Sequence, residues 1–117
     1  MVEVAVFMKI VTTLGAKFVV RSGGHNPNAG ISSIDASGLT LDLQDLDSIA
    51  LKDDILQAGP GNTWDQLYAY TEKHELSVVG GRHGSVGIPG FLLGGMSYPV
   101  LIARHELTHP RRAIILP

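Results

Sequence analysis

Val19-Val20-Arg21-Ser22-Gly23-Gly24-His25-Asn26 is the stretch on which the reading of this chain turns. An apolar run ends abruptly in a polar loop with two adjacent glycines and a histidine. A second glycine region, Gly80-Gly81-Arg82-His83-Gly84-Ser85-Val86-Gly87-Ile88-Pro89-Gly90, follows another short apolar run at Val78-Val79. Half of the 14 glycines fall between Gly80 and Gly95, so the glycine content is local rather than diffuse. Adjacent glycines permit φ > 0 and let successive N–H groups converge, a concave arrangement that suits an anion such as a dinucleotide pyrophosphate. Taken singly, each loop reads rather as an ordinary tight turn at a strand end, since short glycine patterns recur by chance. Together, each expected after a strand, they point to a nucleotide cofactor. Neither has the G-x-G-x-x-G spacing, which disfavours a nicotinamide-binding Rossmann unit.

Outward from these loops, the order of elements is that of an α/β or α+β unit. Val4, Phe7, Met8, Val11 and Leu14 recur at helical spacing, and Gly15 supplies a C-terminal stop. Phe18 to Val20 is a strand, and Asn26 to Ser37 is a loop rich in Asn, Gly and Ser. Leu39 to Leu43 alternates with period two and predicts a half-buried strand. Ser48–Leu51 and Ile55–Ala58 flank Lys52-Asp53-Asp54 as a hairpin. Thr63 and Gln66 form a capping box, opening a helix that puts Trp64, Leu67, Tyr68 and Thr71 on one side and ends near His74. Ser77 to Val79 is predicted to be a short strand.

Composition narrows the functional classes. The chain has 117 residues, enough for one small domain, with 44% hydrophobic and 17% charged residues. A net charge of −2 gives no electrostatic case for nucleic acid or an anionic membrane as partner. The absence of cysteine removes disulfides, thiol catalysis and thiolate metal sites. The apolar opening Met1 to Leu14 carries Glu3 and Lys9 and lacks a basic first segment, so it does not read as a signal peptide. No apolar run reaches the roughly 18–20 residues of a membrane span.

The first loop resembles the R-S-G-G-H signature of the FAD-binding, PCMH-type domain. Val78 to Arg82, Gly84-Ser85-Val86-Gly87 and Phe91-Leu92-Leu93-Gly94-Gly95 resemble the second loop of that domain, in wording most like fungal members of the berberine-bridge-enzyme-like oxidases. Ile34 to Gly38 and Ala58-Gly59-Pro60-Gly61 with Trp64 fall at the matching places between. The resemblance covers about residues 3–95 and implies an α+β fold, helices packed on small mixed sheets, incomplete at both ends. It implies FAD as cofactor and makes His25 the residue bonded to the flavin 8α-methyl group, a role that suits a neutral imidazole near pH 7. A second link, through cysteine in some members, is excluded because that position is His83; the flavin is expected to be monocovalent. Arg21, Ser22, Gly23, Gly24 and Asn26 in the first loop, and Gly80, Gly81, Gly84, Ser85, Val86, Gly87 and Gly90 in the second, are the further expected cofactor contacts. Ser85 and Val86 offer amides or a hydroxyl to the pyrophosphate; Arg21 either pairs with phosphate or is structural.

Pro89 and Met96 depart from glycines usual in the family, and Pro89 removes one N–H donor. Residues 96–117 are expected to be a divergent tail, with three of the chain's five arginines in the last 14 residues. The domain's remaining FAD contacts and its substrate domain have no counterpart in these residues, and no general base can be nominated. The expected function is therefore the FAD-binding portion of an oxidoreductase acting on a small organic substrate, with hydride passing to FAD and then to O₂, incomplete unaided. A truncated remnant without function is the alternative. His105-Glu106-Leu107-Thr108-His109 spells the H-E-x-x-H of zinc peptidases, but Pro110 stops the helix and the eight residues after His109 hold no third ligand.

Overall fold

The structure is a computed structural model and describes residues 2–28, 30–53, 55–94 and 114–116. The elements run α1 (Val2–Leu14), β1 (Phe18–Arg21), β2 (Leu39–Asp42), β3 (Ile49–Lys52), β4 (Ile55–Ala58), α2 (Trp64–Lys73), α3 (Ile88–Leu93) and β5 (Ile114–Leu116). β1 and β2 form one parallel pair, and β3, β4 and β5 form a second sheet in that order. Helices beside small sheets of mixed direction are the α+β arrangement that the sequence predicts. Among the described residues no helix is long and apolar enough to cross a membrane.

α1 ends where predicted. Gly15 takes φ +61°, and the Ala16 N–H returns to the Val11 carbonyl at 2.9 Å. Val11 is buried, Val4, Phe7 and Met8 are half-buried, and the Phe7 ring meets Phe18 of β1 edge-on at 5.9 Å. Leu14 departs from this face and is 73% exposed. It belongs instead to a second apolar row, Val2, Val6, Ile10 and Leu14, four residues apart and exposed throughout.

β1 and β2 pair in the register Phe18↔Leu39 to Arg21↔Asp42. A parallel pair needs a long crossover, and the loop after Arg21 provides it. The half-buried alternation expected for β2 is not observed. Leu39 and Thr40 are exposed while Leu41 and Asp42 are half-buried, at the end where Asp42 bonds to Arg21. The hairpin forms as predicted, with Lys52 opposite Ile55. Asp53 occupies the left-handed region, φ +50°, which a short polar side chain tolerates in a tight turn.

The main core lies between the second sheet and α2. Leu56, Trp64, Leu67 and Ile88 are buried together, with Leu51, Val78 and Phe91 packed at their edge. The Gln66 side chain accepts the Thr63 N–H at 2.8 Å, completing the predicted capping box. Beyond α2, Glu75 takes φ +55° and the Leu76 N–H returns to the Thr71 carbonyl at 3.0 Å. The strand expected at Ser77–Val79 does not form. Leu76 and Val78 point inward and Ser77 and Val79 outward, but among the described residues no neighbouring backbone completes a ladder. The alternation is that of an extended segment laid against a core, which in sequence looks the same as a strand.

Ile114–Leu116 forms β5, parallel to β4. Met96 and the His105–His109 motif lie outside the described residues.

Candidate cofactor-binding groove

The two glycine loops, some 60 positions apart in the chain, face one another across a groove of about 630 Å³. One wall is Arg21 to Pro27 with Ile31 and Ser32; the other is Gly81 to His83, Val86, Gly87, Gly90 and Phe91. Gly80, Gly84 and Ser85, which the sequence grouped with these, stand behind the second wall rather than on it.

The loops touch at Gly23 and Gly87. A Cβ added to Gly23 would fall 2.6 Å from the Gly87 nitrogen, and one on Gly87 would fall 2.6 Å from the Gly23 nitrogen. Side chains at either position would separate the walls. Of the site glycines described, Gly24 alone has a left-handed φ, +60°. The expected run of φ > 0 glycines is therefore corrected: close approach, rather than dihedral freedom, is the main reason for glycine here. In the second loop that approach is to Trp64. A Cβ on Gly80 would enter its six-membered ring, and one on Gly81 would lie 2.6 Å from Cδ1. A Cβ on Gly84 would collide with the Asp65 carboxylate.

The same loop caps α2. Its first helical N–H groups have no intrahelical acceptor, and the Val86 and Gly84 carbonyls take them, from Trp64 at 3.1 Å and Asp65 at 2.9 Å. The Tyr68 hydroxyl donates to the Gly81 carbonyl at 2.7 Å. Burial, reinforced by the Asp65 charge, raises the Tyr68 phenol above its ordinary pKa, so it remains a donor. Trp64 Nε1, fully buried beneath this loop, has no hydrogen-bond partner among the described residues. Pro89 sits in the first turn of α3, a helix not foreseen from sequence, where an N–H has no helical acceptor in any case.

Several first-loop groups are already engaged. The Ser22 hydroxyl donates to the Pro60 carbonyl at 2.6 Å, fastening the loop to the Gly59–Gly61 turn. Asn26 Oδ1 accepts the Asn28 N–H at 3.0 Å. The Arg21 guanidinium bonds to Asp42, its register partner on β2, and its stem lies 3.2 Å from where a Gly24 Cβ would sit. Arg21 and the Gln44 N–H hold the Asp42 carboxyl below the usual carboxylate range. A depressed folded pKa contributes stability that is full above the unfolded value, about 3.9, and is lost as pH falls through the folded one. Asp42→Asn is thus expected to lower the melting temperature slightly at pH 7. The gap from the native protein should close below about pH 4. Parallel thermal melts from pH 2.5 to 7 measure this, and a gap independent of pH would exclude the ion pair as its origin.

His25 and His83 are exposed on opposite walls with ring centroids 6.4 Å apart and planes tilted by 37°. Two strapped loops, a nucleophilic imidazole and backbone brought close by glycine suit a flavin nucleotide. The donor set also lacks carboxylates that would repel its phosphates.

The FAD binding domain family matches residues 2–100. This chain belongs to that family. It is 43% identical over 94 residues to the FAD-dependent monooxygenase macF of Penicillium terrestre, covering 79% of this chain and 18% of that protein. It is 41% identical over 95 residues to the FAD-dependent monooxygenase yanF of Aspergillus niger, covering 80% and 16%. Among solved structures, 6-hydroxy-D-nicotine oxidase from Arthrobacter nicotinovorans superposes with a TM-score of 0.62 at 32% identity, over 71% of this chain and 18% of that one. The chain thus spans less than a fifth of the length of these relatives.

In this FAD-binding fold the residues that sequence reasoning undervalued are Trp64, read as a helix-face residue and as a match to the family's spacing, and His83, read only as a missing cysteine. Trp64 is the floor under Gly80 and Gly81. Their signal was present as one tryptophan and two adjacent glycines, but nothing in the linear order pairs them.

Proposed function

We propose that this chain forms the FAD-binding portion of a berberine-bridge-like flavin oxidoreductase and holds the flavin by one covalent bond, from His25 to the 8α-methyl group. The observation that carries this reading is the placement of His25 immediately after the left-handed Gly24, on the wall of the groove. His25 is exposed there, where a nucleophile can reach a ligand lying in the groove. No thiol is available in the chain for a second link, and His83 occupies the facing position.

When bound, FAD supplies hydride acceptance from a small organic substrate and electron delivery to O₂; the protein supplies placement. The crossed glycines Gly23 and Gly87 bring the two walls together, Gly24 and Gly81 let their loops close on the Arg21 stem and Trp64, and Gly90 leaves open space. Arg21, neutralised by Asp42, acts through the shape of the first loop. Ser22 fastens that loop to the Pro60 turn. Ser85 and Val86 shape the second loop behind its contact face, and Gly80 and Gly84 let it close on α2. The substrate wall and its acid–base groups come from sequence beyond these residues, which the small share of the relatives' length supports.

The chain's one tryptophan reports on the groove. Trp64 lies directly beneath Gly81, and flavins absorb where tryptophan emits. Titration with FAD is expected to quench Trp64 emission to saturation, with acid-stable yellow colour appearing on incubation in air. Emission unchanged by FAD in folded protein would remove the reading.

A further inference from the structure

We infer that His83 is the base that accepts the 8α-methyl proton when the flavin is attached to His25, an inference resting on the reading of His25 above. Attachment requires a nucleophile and a proton acceptor on either side of one methyl carbon. Among the described residues that line the groove there is no aspartate, glutamate, lysine or tyrosine. Arg21 and Arg82 are permanently protonated and accept no proton. Ser22 already donates to Pro60. Among the described lining residues, the side chains able to accept a proton are therefore the two imidazoles. His25 is consumed as nucleophile, which leaves His83. The spacing agrees, since ring centroids 6.4 Å apart put both imidazoles within reach of one bound methyl group.

The step balances as follows. His83 takes the proton of an 8α C–H bond, and that bond's electron pair passes into the flavin ring system. A His25 ring nitrogen forms the new N–C bond and releases its own N–H proton to solvent. The flavin is left reduced by two electrons. Dioxygen takes those two electrons and two protons, leaving hydrogen peroxide and an oxidised, attached flavin.

The test uses the full chain mixed with FAD in air, following acid-stable flavin and peroxide over time. His83→Gln is expected to attach flavin about 100-fold more slowly, the lower range for loss of a general base. Its FAD affinity, read by Trp64 quenching, is measured alongside, so that a loss of binding is told apart from a loss of attachment rate. Added imidazole should restore part of the rate, and native protein should release one peroxide per flavin attached. Attachment by His83→Gln at the native rate would overturn the inference and leave the His25 reading intact. So would parallel loss of affinity and attachment without imidazole rescue, which marks a structural role. Native protein that binds FAD but never attaches it overturns both.

Discussion

Replacing His25 by alanine is expected to abolish acid-stable flavin while leaving reversible FAD binding in place. The native chain, incubated with FAD and precipitated in acid, should carry flavin into the pellet; the His25→Ala pellet should be colourless. The expectation follows from chemistry and position together. The groove walls offer two imidazoles able to act as nucleophiles, His25 and His83. Only His25 follows a glycine whose left-handed φ sets the direction of the chain. Reversible binding should persist because the contact between the loops is made by Gly23 and Gly87, whose crossing does not involve the imidazole. Ultrafiltration of the variant before acid treatment separates the two effects. Flavin retained in the His25→Ala pellet would place the bond elsewhere, and His83 would be the first residue to examine by peptide mapping.

The second large effect concerns Trp64. Its side chain is fully buried, lies 5.2 Å from the Phe91 ring and 5.7 Å from the Tyr68 ring, and forms the surface on which Gly80 and Gly81 rest. Trp64→Ala removes that surface from a core whose fully buried apolar members are few. Truncating a buried aromatic costs about 3–5 kcal/mol, against a total of about 5–15 kcal/mol for ordinary domains. A small domain then loses upward of about 10 °C in melting midpoint. Gly80→Ala should act in the same direction by driving a methyl into the indole ring. Thermal unfolding followed by far-ultraviolet circular dichroism measures both, and a shift of under about 2 °C for Trp64→Ala would mean that the second loop is held by something else.

The parts of this molecule that were legible beforehand are those governed by neighbours in the chain. The period of α1, its stop at Gly15, the hairpin around Asp53 and the Thr63–Gln66 box each depend on residues within a few positions of one another, and each is observed. Readings that required knowing what lies across a gap fared less well. Ser77–Val79 has the alternation of a strand but no partner among the described residues, β2 is half-buried at only one end, and α3 carries in its first turn a proline read as a lost donor. Glycine shows the same division. Its presence marked both loops, but its reason at Gly23, Gly80, Gly84 and Gly87 is a contact with Gly87, Trp64, Asp65 and Gly23 respectively.

By itself the sequence determined the family, through two glycine loops and one histidine whose residue types are read directly from the chain. It also showed that these residues hold no cysteine from which a thiol link could be made. Only the tertiary structure decided that Arg21 is held by Asp42, that Ser22 fastens to Pro60, and that His83 faces His25 across the groove. The physical reason is distance along the chain. Residue type and local dihedral preference are properties of short segments, whereas an ion pair 21 positions apart or two imidazoles 58 positions apart exists only after the strands and loops between them have been placed.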